Sequence, residues 1–440
     1  MEVVTENKIQ RYEDYKNSGV AWLGEIPEHW EAKRFKHIFK EKKITHNVEL
    51  NCGSISFGKV VYKDDEKVPV STKKSYQVLN KGEFLINPLN LNYDLISLRI
   101  GLSDKDVVVS SGYIIVQNVI ELSKDYYKWL LHIFDVAFMK TLGSGVRQTL
   151  SFTHIANSEL VFPPLKEQTS IAQFLDDKTT KIDQAITIKE QQISLLKERK
   201  QILIHKAVTR GVPSCHPELD SGSHQNSPKL KDSGVDWIGE IPEHWEVKKL
   251  KYATRIFRGK FTHRPRNDER MYDGEYPFFQ TGDVARAGKY LSIYKQTLNE
   301  KGLRVSTLFP KGTIVITIAA NIGDISILDI EACFPDSIVG FEPMNFVEKH
   351  FLYNSLLVMK EQFMSSTIKN TQMNLNVDRI GSNSIVIPSI EEQKEISEYI
   401  ETASQKIETA MSLKQQEIEK LKEYKSSLIN GVVTGKVKVC

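Results

Sequence analysis

The strongest pattern along the chain is helical, and it occurs twice. Residues 165–208 and 390–430 hold no proline and no glycine and are dense in Glu, Lys, Gln, Ile and Leu. In the first stretch Ile171, Leu175, Ile182, Ile186, Ile193, Leu196 and Leu203 form one stripe of three-, four- and seven-residue steps. Adding 225 to each number gives Ile396, Ile400, Ile407, Met411, Ile418, Leu421 and Leu428, apolar to a member. A stripe flanked by Lys, Glu and Gln is a coiled-coil seam. Each stretch makes about 60 Å of helix, longer than one small domain can cover, so the two are expected to pair. Ahead of each helix the pattern turns strand-like. "KGEFLIN" (81–87) and "KGTIVITIA" (311–319) are β-branched or aromatic runs entered by Lys-Gly turns, followed by "DVVVSSGYIIVQ" (106–117) and "CFPDSIVGFEP" (333–343). A helical segment then follows in each half, at 125–142 and 348–367.

The halves share more than periodicity. "SGVAWLGEIPEHWEAKRFK" (18–36) and "SGVDWIGEIPEHWEVKKLK" (233–251) agree at fourteen of nineteen positions. "LVFPPLKEQTSIAQFLDDKTTKIDQ" (160–184) aligns with "IVIPSIEEQKEISEYIETASQKIET" (385–409), and "LLKERKQILIHKAVT" (195–209) with "KLKEYKSSLINGVVT" (420–434). This is duplication of a whole domain plus its helix, far longer in period than a solenoid repeat. The second helix starts from the second domain and must return to meet the first, so the pair is expected to be antiparallel. The expected fold is α+β: two strand-rich domains at opposite ends of a long antiparallel helix pair, related by a pseudo-twofold axis. The boundaries read 1–164 for the first domain, 165–208 for the first helix and 209–232 for a Gly-, Pro- and Ser-rich linker. The second domain is 233–389, and 390–440 is the second helix with its tail.

Net charge decides little, with 59 basic against 56 acidic residues. Local clustering is more informative. "KYATRIFRGKFTHRPRNDER" (251–270) holds seven Lys/Arg against two acids, interleaved with aromatics. That composition suits phosphates and base edges, or a solvated loop. Arg258, Lys260, Arg264 and Arg266 are the candidates there. Gln280 and Asp283 follow at a strand-to-turn transition, where they read bases or merely close a turn. In the first domain the polar loops nominate Lys59, Lys73, Lys74, Asn90, Asn92, Tyr93 and Arg147. Trp22, Trp30, Trp237 and Trp245 lie in the doubled motif; they pack each domain against the helices or form two equivalent docking surfaces.

Catalytic chemistry is missing from the pattern. The four cysteines are far apart with no CxxC pair, and the histidines show no ligand spacing, so no metal is expected. No GxxxxGK[ST] phosphate loop occurs. "NPLN" (87–90) lacks the second proline and aromatic of an amino-methyltransferase box. Glu28–His29 and Glu243–His244 are sequence neighbours, which rarely face one another as acid/base pairs. Neither an apolar leader nor a run of eighteen apolar residues is present, so a cytoplasmic protein is expected.

The order of parts resembles the specificity subunit of type I restriction–modification systems, HsdS. The carriers are the doubled "SGVxWxGEIPEHWE", the "FPPLKEQ" and "IPSIEEQ" helix openings, the helix ends "AVTRG" and "VVTGK", and "PDSIVGF" (335–341). The resemblance implies a non-catalytic DNA-binding subunit in defence against foreign DNA. Each of its two target-recognition domains would read half of a split double-stranded DNA site, with the helices as a ruler. It further implies two modification (methyltransferase) subunits and the restriction (translocase/endonuclease) subunits as partners. No cofactor would bind this chain; S-adenosylmethionine, ATP and Mg2+ would sit on those partners. The segment 213–229 is longer than the family pattern leads one to expect. The rival readings are a methyltransferase or nuclease carrying its own specificity domains, and a coiled-coil scaffold unrelated to DNA.

Overall fold

The computed structural model describes residues 10–89, 98–139, 150–212, 229–319, 322–365 and 376–439. It divides into two units, one of residues 1–190 with 415–440 and one of residues 191–414. The division falls inside both long helices rather than at their ends. Each unit holds one strand-rich domain, half of one helix and half of the other.

In the first unit β1 (Glu31–Arg34) follows the GEIPEHW motif and leads to β2 (Phe39–Glu41). Next come β3 (Phe84–Ile86), β4 (Ile100–Leu102) and β5 (Ile114–Asn118). The four-stranded sheet runs β2-β5-β3-β4, all antiparallel, with Ile114 opposite Ile86 and Phe84 opposite Leu102. Gly82, in the Lys-Gly turn before β3, has φ +83°, a conformation that costs glycine nothing. Helix α1 (Lys124–Ala137) covers the sheet with Tyr126, Tyr127, Leu130, Leu131 and Phe134, all fully buried. Strand β6 (Glu159–Phe162) then pairs with β1, placing Pro163–Pro164 at the mouth of helix α2 (Leu165–Arg210).

The second unit repeats this order. Strand β7 (Glu246–Lys249) follows the second motif, and β8 (Thr254–Arg258) begins the sheet. Strands β9 (Tyr272–Phe278), β10 (Tyr290–Leu291) and β11 (Gln296–Leu298) intervene. Strands β12 (Ile314–Thr317), β13 (Ile325–Leu328), β14 (Ala332–Cys333) and β15 (Ile338–Pro343) complete the set. The main sheet is β8-β15-β12-β13-β10, which is the first unit's order with one parallel strand added at the edge. Helix α3 (Lys349–Val358) replaces α1, and β16 (Ser384–Ile387) pairs with β7 before helix α4 (Ile390–Val433). The units differ in a second, outer sheet. In the second unit β11-β9-β14 and Leu308–Phe309 form four strands; among the described residues the first unit has two small antiparallel pairs there, Gly53–Ser56 with Lys59–Tyr62 and Gln77–Leu79 with Val107–Val109.

Within the first unit Asp183 pairs with Lys425 at 2.7 Å and Lys189 with Glu417 at 2.5 Å. Within the second, Lys200 pairs with Glu408 at 2.6 Å. In the first unit partner numbers fall on α4 as they rise on α2, and in the second Ile204 and Val208, beyond Lys200, cluster with Ile400 and Ile396, before Glu408, so the helices run antiparallel in each unit. Every member of the sequence stripe is buried or half-buried, whereas Ile188, Leu195 and Ile202 are exposed. The exposed ion pairs contribute little, about 0–1 kcal/mol each, so the apolar seam holds the pair. Helix α2 runs two residues past its expected end at 208, to Arg210, and α4 runs through Gly431. Buried Thr209 and Thr434, equivalent residues, each donate back to the carbonyl four residues earlier, His205 and Asn430.

The doubled motif is the joint. Trp30 is fully buried and donates from Nε1 to Glu167 Oε2 at 3.0 Å, while His29 Nε2 lies 2.7 Å from Glu167 Oε1. Trp245 and His244 hold Glu392 in the same way, at 3.1 and 2.8 Å. The histidines thus address a glutamate in the first turn of the long helix, not the adjacent Glu28 or Glu243. Burial alone would raise the Glu167 carboxyl, but the donors Trp30, His29 and Tyr12 outweigh it and hold it below its ordinary value. Glu392 is lowered likewise, against its burial, by His244, Trp245 and Ser389.

The same motif also receives the end of the other helix. Gly435 has φ +77°, and a Cβ there would come within 2.4 Å of Pro27. Tyr15 and Tyr126 donate to the carbonyls of Gly435 and Val433. In the second unit Trp245 packs in one cluster with Val208 and Val212. Each domain therefore grips one helix start and one helix end, which is what an antiparallel pair offers it. Trp237 joins that cluster, and its carbonyl lies 3.1 Å from His205 Nε2. Trp22 instead packs on the domain's own α1, with its ring 5.8 Å from that of Phe134.

Candidate nucleic-acid interface

The basic segment nominated by the sequence runs from the main-sheet strand β8 through the loop that leads into β9 of the outer sheet. Its loop is shaped by its own side chains. Arg264 donates from Nη1 to the carbonyls of Phe261 and His263, both at 2.8 Å. Arg270, then His263, bind Asp268 and push that carboxyl well below the usual range. Two of the cations thus fold the loop. Three others face outward: Lys260 is exposed, and Arg258 and Arg266 converge on Asp336. Arg258 Nε donates to the Asp336 carbonyl at 2.5 Å, and Arg266 Nη2 to Asp336 Oδ1 at 2.5 Å.

Arg266 and Gln280, 14 residues apart in sequence, meet at one cleft of about 180 Å³. Asn267, Tyr272 and Gln296 share its wall, over a floor that includes Phe261, Phe278 and Pro335. The floor is rigid: Phe261 and Phe278 are buried with ring centroids 5.2 Å apart. Gln280 Nε2 donates to Gln296 Oε1 at 3.1 Å. Such a cleft offers guanidinium and amide donors, amide acceptors and an aromatic face, the groups that bind base edges. Asp283 has the other role its position allowed. It is 5% exposed, its Oδ2 accepts from the Gln280 backbone N–H at 2.8 Å and its Oδ1 from Arg286, so it closes the turn.

In the first unit the candidates scatter. Lys59 is exposed on a hairpin, Gly53–Ser56 with Lys59–Tyr62, and Lys74 is exposed beyond a short helix. Lys73 is largely covered and binds Asp65 at 2.7 Å. With the Cys52 backbone N–H also on it, Asp65 is lowered to about 2. Asn90, Asn92, Tyr93 and Arg147 lie outside the described residues.

Gln296 and Phe57 went unremarked in the sequence, and Asp336 entered only within "PDSIVGF" (335–341), not as a partner of Arg266. A fold contact with Gln280 and with Arg266 is what gives Gln296 and Asp336 their meaning. Phe57 does have a local signal, "SFGK" between two short β-branched runs. It sits at the hairpin tip beside Lys59, 68% exposed, with φ +46°. Among the described residues no group of three or more His, Cys, Asp or Glu side chains is placed to hold a metal ion, and no helix is long and apolar enough to cross a membrane.

Comparison with known proteins bears on this surface. The model of the type I restriction modification DNA specificity domain matches the chain twice, at residues 27–198 and 242–422. A putative type I restriction enzyme MjaX specificity subunit of Methanocaldococcus jannaschii is 24% identical, over 95% of this chain and 96% of that protein. The MjaVIII specificity subunit of the same organism is 24% identical over 94% of each. Among solved structures, a chain from a study of complex assembly and conformational transition of the type I R-M system superposes with a TM-score of 0.69. It is 13% identical and covers 93% of this chain and 98% of its own. The HsdS subunit from Thermoanaerobacter tengcongensis gives a TM-score of 0.53 at 14% identity, covering 94% and 98%.

Proposed function

From the premise that the chain belongs to the type I restriction–modification DNA specificity family, with two copies of its domain, we propose that each unit reads one half of a split DNA site. The chain is a DNA-sequence-specificity subunit, a non-catalytic part of a type I system. The observation that carries the split-site reading is the contrast between the units. The main sheet order and the helix joint are the same in both, while the outer sheets differ. A shared scaffold with two dissimilar outer surfaces suits two different half-sites. The antiparallel seam suits a spacer of fixed length between them.

Two modification subunits dock on surfaces repeated by the duplication, and restriction subunits join that complex. S-adenosylmethionine, ATP and Mg2+ belong to those partners, and the complex works in the cytoplasm. The Glu167 and Glu392 joints support this reading, since equivalent partners need equivalent frames. Inserting four residues into the middle of both α2 and α4 tests the spacer. The gap in the methylated site should lengthen while both half-sites stay the same. An altered half-site with an unchanged gap would contradict the ruler.

A further inference from the structure

Recognition of a half-site needs side chains that distinguish one base pair from another. Two long polar side chains reach the same cleft in the second unit, and each is held by a neighbour. Arg266 is tethered through Nη2 to Asp336, yet its side chain remains 48% exposed. Among the described residues no hydrogen bond engages its Nε or Nη1. Gln296 is exposed, and its Oε1 accepts from Gln280 Nε2, which fixes the direction of the amide. The Gln296 NH2 has no partner among the described residues.

We propose that Arg266 reads a guanine and Gln296 an adenine in the second half-site. Asp336 and Gln280 are positioning residues for them. The proposal rests on the split-site reading above. Guanine presents two acceptors, N7 and O6, in the major groove, which suit the N–H donors the tether leaves open on Arg266. Adenine presents N7 as acceptor and N6–H as donor, which suits an amide offering N–H and a second oxygen lone pair. A free Arg or Gln must be ordered on binding. Here the tethers order them beforehand, so less rotamer freedom is lost when DNA arrives. Because both readers line one cleft of about 180 Å³, their two bases lie close together in the half-site.

The test is selection of randomised duplexes by the chain bound to its modification subunits, with base preferences counted by position. R266A should flatten one guanine position by about 5- to 150-fold, the range for a bidentate pair. Q296E should shift one adenine position toward cytosine, whose N4 amine a carboxylate accepts from. D336A should weaken only the guanine position and Q280A only the adenine position, a dissociation that general damage to the fold would not produce. The first half-site should be unchanged in all four variants and serves as the internal reference.

Parental preferences retained in both R266A and Q296E would overturn the inference while leaving the split-site reading standing. Equal flattening at all positions of the second half-site would overturn it too. A parent that selects no split site would instead remove the premise. If Q296E loses all selection with an unchanged melting curve, the base-specific role is refuted. If its melting point falls, Q296M, uncharged and of similar length, decides: flattening at the adenine position alone supports the role, and an unchanged position overturns it.

Discussion

The Glu392 joint can be tested against its immediate neighbour in the helix. The Glu392 carboxylate accepts from Trp245 Nε1, Ser389 N and Ser389 Oγ at 3.1, 3.0 and 2.9 Å, with His244 Nε2 at 2.8 Å. Its side chain is 15% exposed. Glu391, one residue earlier, is exposed. E392Q keeps the size but removes the charge and turns an NH2 toward donors. Charge-assisted hydrogen bonds contribute about 1.5–3 kcal/mol each. Losing one or two of them gives a cost of about 2–4 kcal/mol. For a unit of this size each kcal/mol moves the transition by about 2–4 °C, so a fall of roughly 5–12 °C is expected. E391Q should move it by less than about 2 °C, as surface substitutions do.

Calorimetry of the full chain at two pH values adds a signature. The folded Glu392 pKa is depressed, so its contribution is fully present above the unfolded carboxylate pKa. The contribution is lost as pH falls through the lowered folded value. The gap between E392Q and the parent should therefore be wide near pH 7 and close as pH drops below about 4. An unchanged transition in E392Q at neutral pH, or a gap independent of pH, would refute the joint as described.

Other outcomes follow from single contacts. D135N should cost about 3–5 kcal/mol by urea unfolding, because Asp135 is fully buried and its charge is what Arg99 Nε faces, while Arg99 Nη1 and Nη2 have no partner among the described residues. The equivalent pair 225 residues on has its charges exchanged, Asp324 with Lys360, and is partly exposed, so D324N should cost about 0–1 kcal/mol. F57G removes a positive-φ side chain, so it should leave stability unchanged or raise it by about 1 kcal/mol. If Phe57 faces DNA, the same variant weakens binding in a fluorescence titration. K260A should weaken binding evenly across sequences and lower the salt slope by about 0.9, whereas a contact to bases would change preference at one position.

The helices and the duplication were legible because they are periodic. A stripe repeated at 225-residue spacing survives any choice of loop, and every member of it is covered in the structure. The Lys-Gly turns were legible because glycine at φ near +83° and +93° has few substitutes. The motif's role was half legible. Four tryptophans pointed to packing, but Glu167 and Glu392, 137 and 147 residues from their tryptophans, could be found only as contacts. The candidate DNA-contacting residues were least legible. Lys73, Arg264 and Asp283 look alike in sequence to Lys59, Arg266 and Gln280, yet the first three are engaged in holding their own loops. Composition reports that a loop is polar. Only the fold tells which of its polar groups are already satisfied.

The central claim is that two dissimilar domains on one duplicated frame read two halves of one site. The most direct measurement is a genome-wide map of methylated adenines in a methylation-free host expressing this chain with its modification subunits. The account predicts one motif made of two unlike half-sites separated by a gap of constant length and free sequence. A continuous motif, a gap of varying length, or the same methylation from this chain with its modification subunits omitted would contradict it.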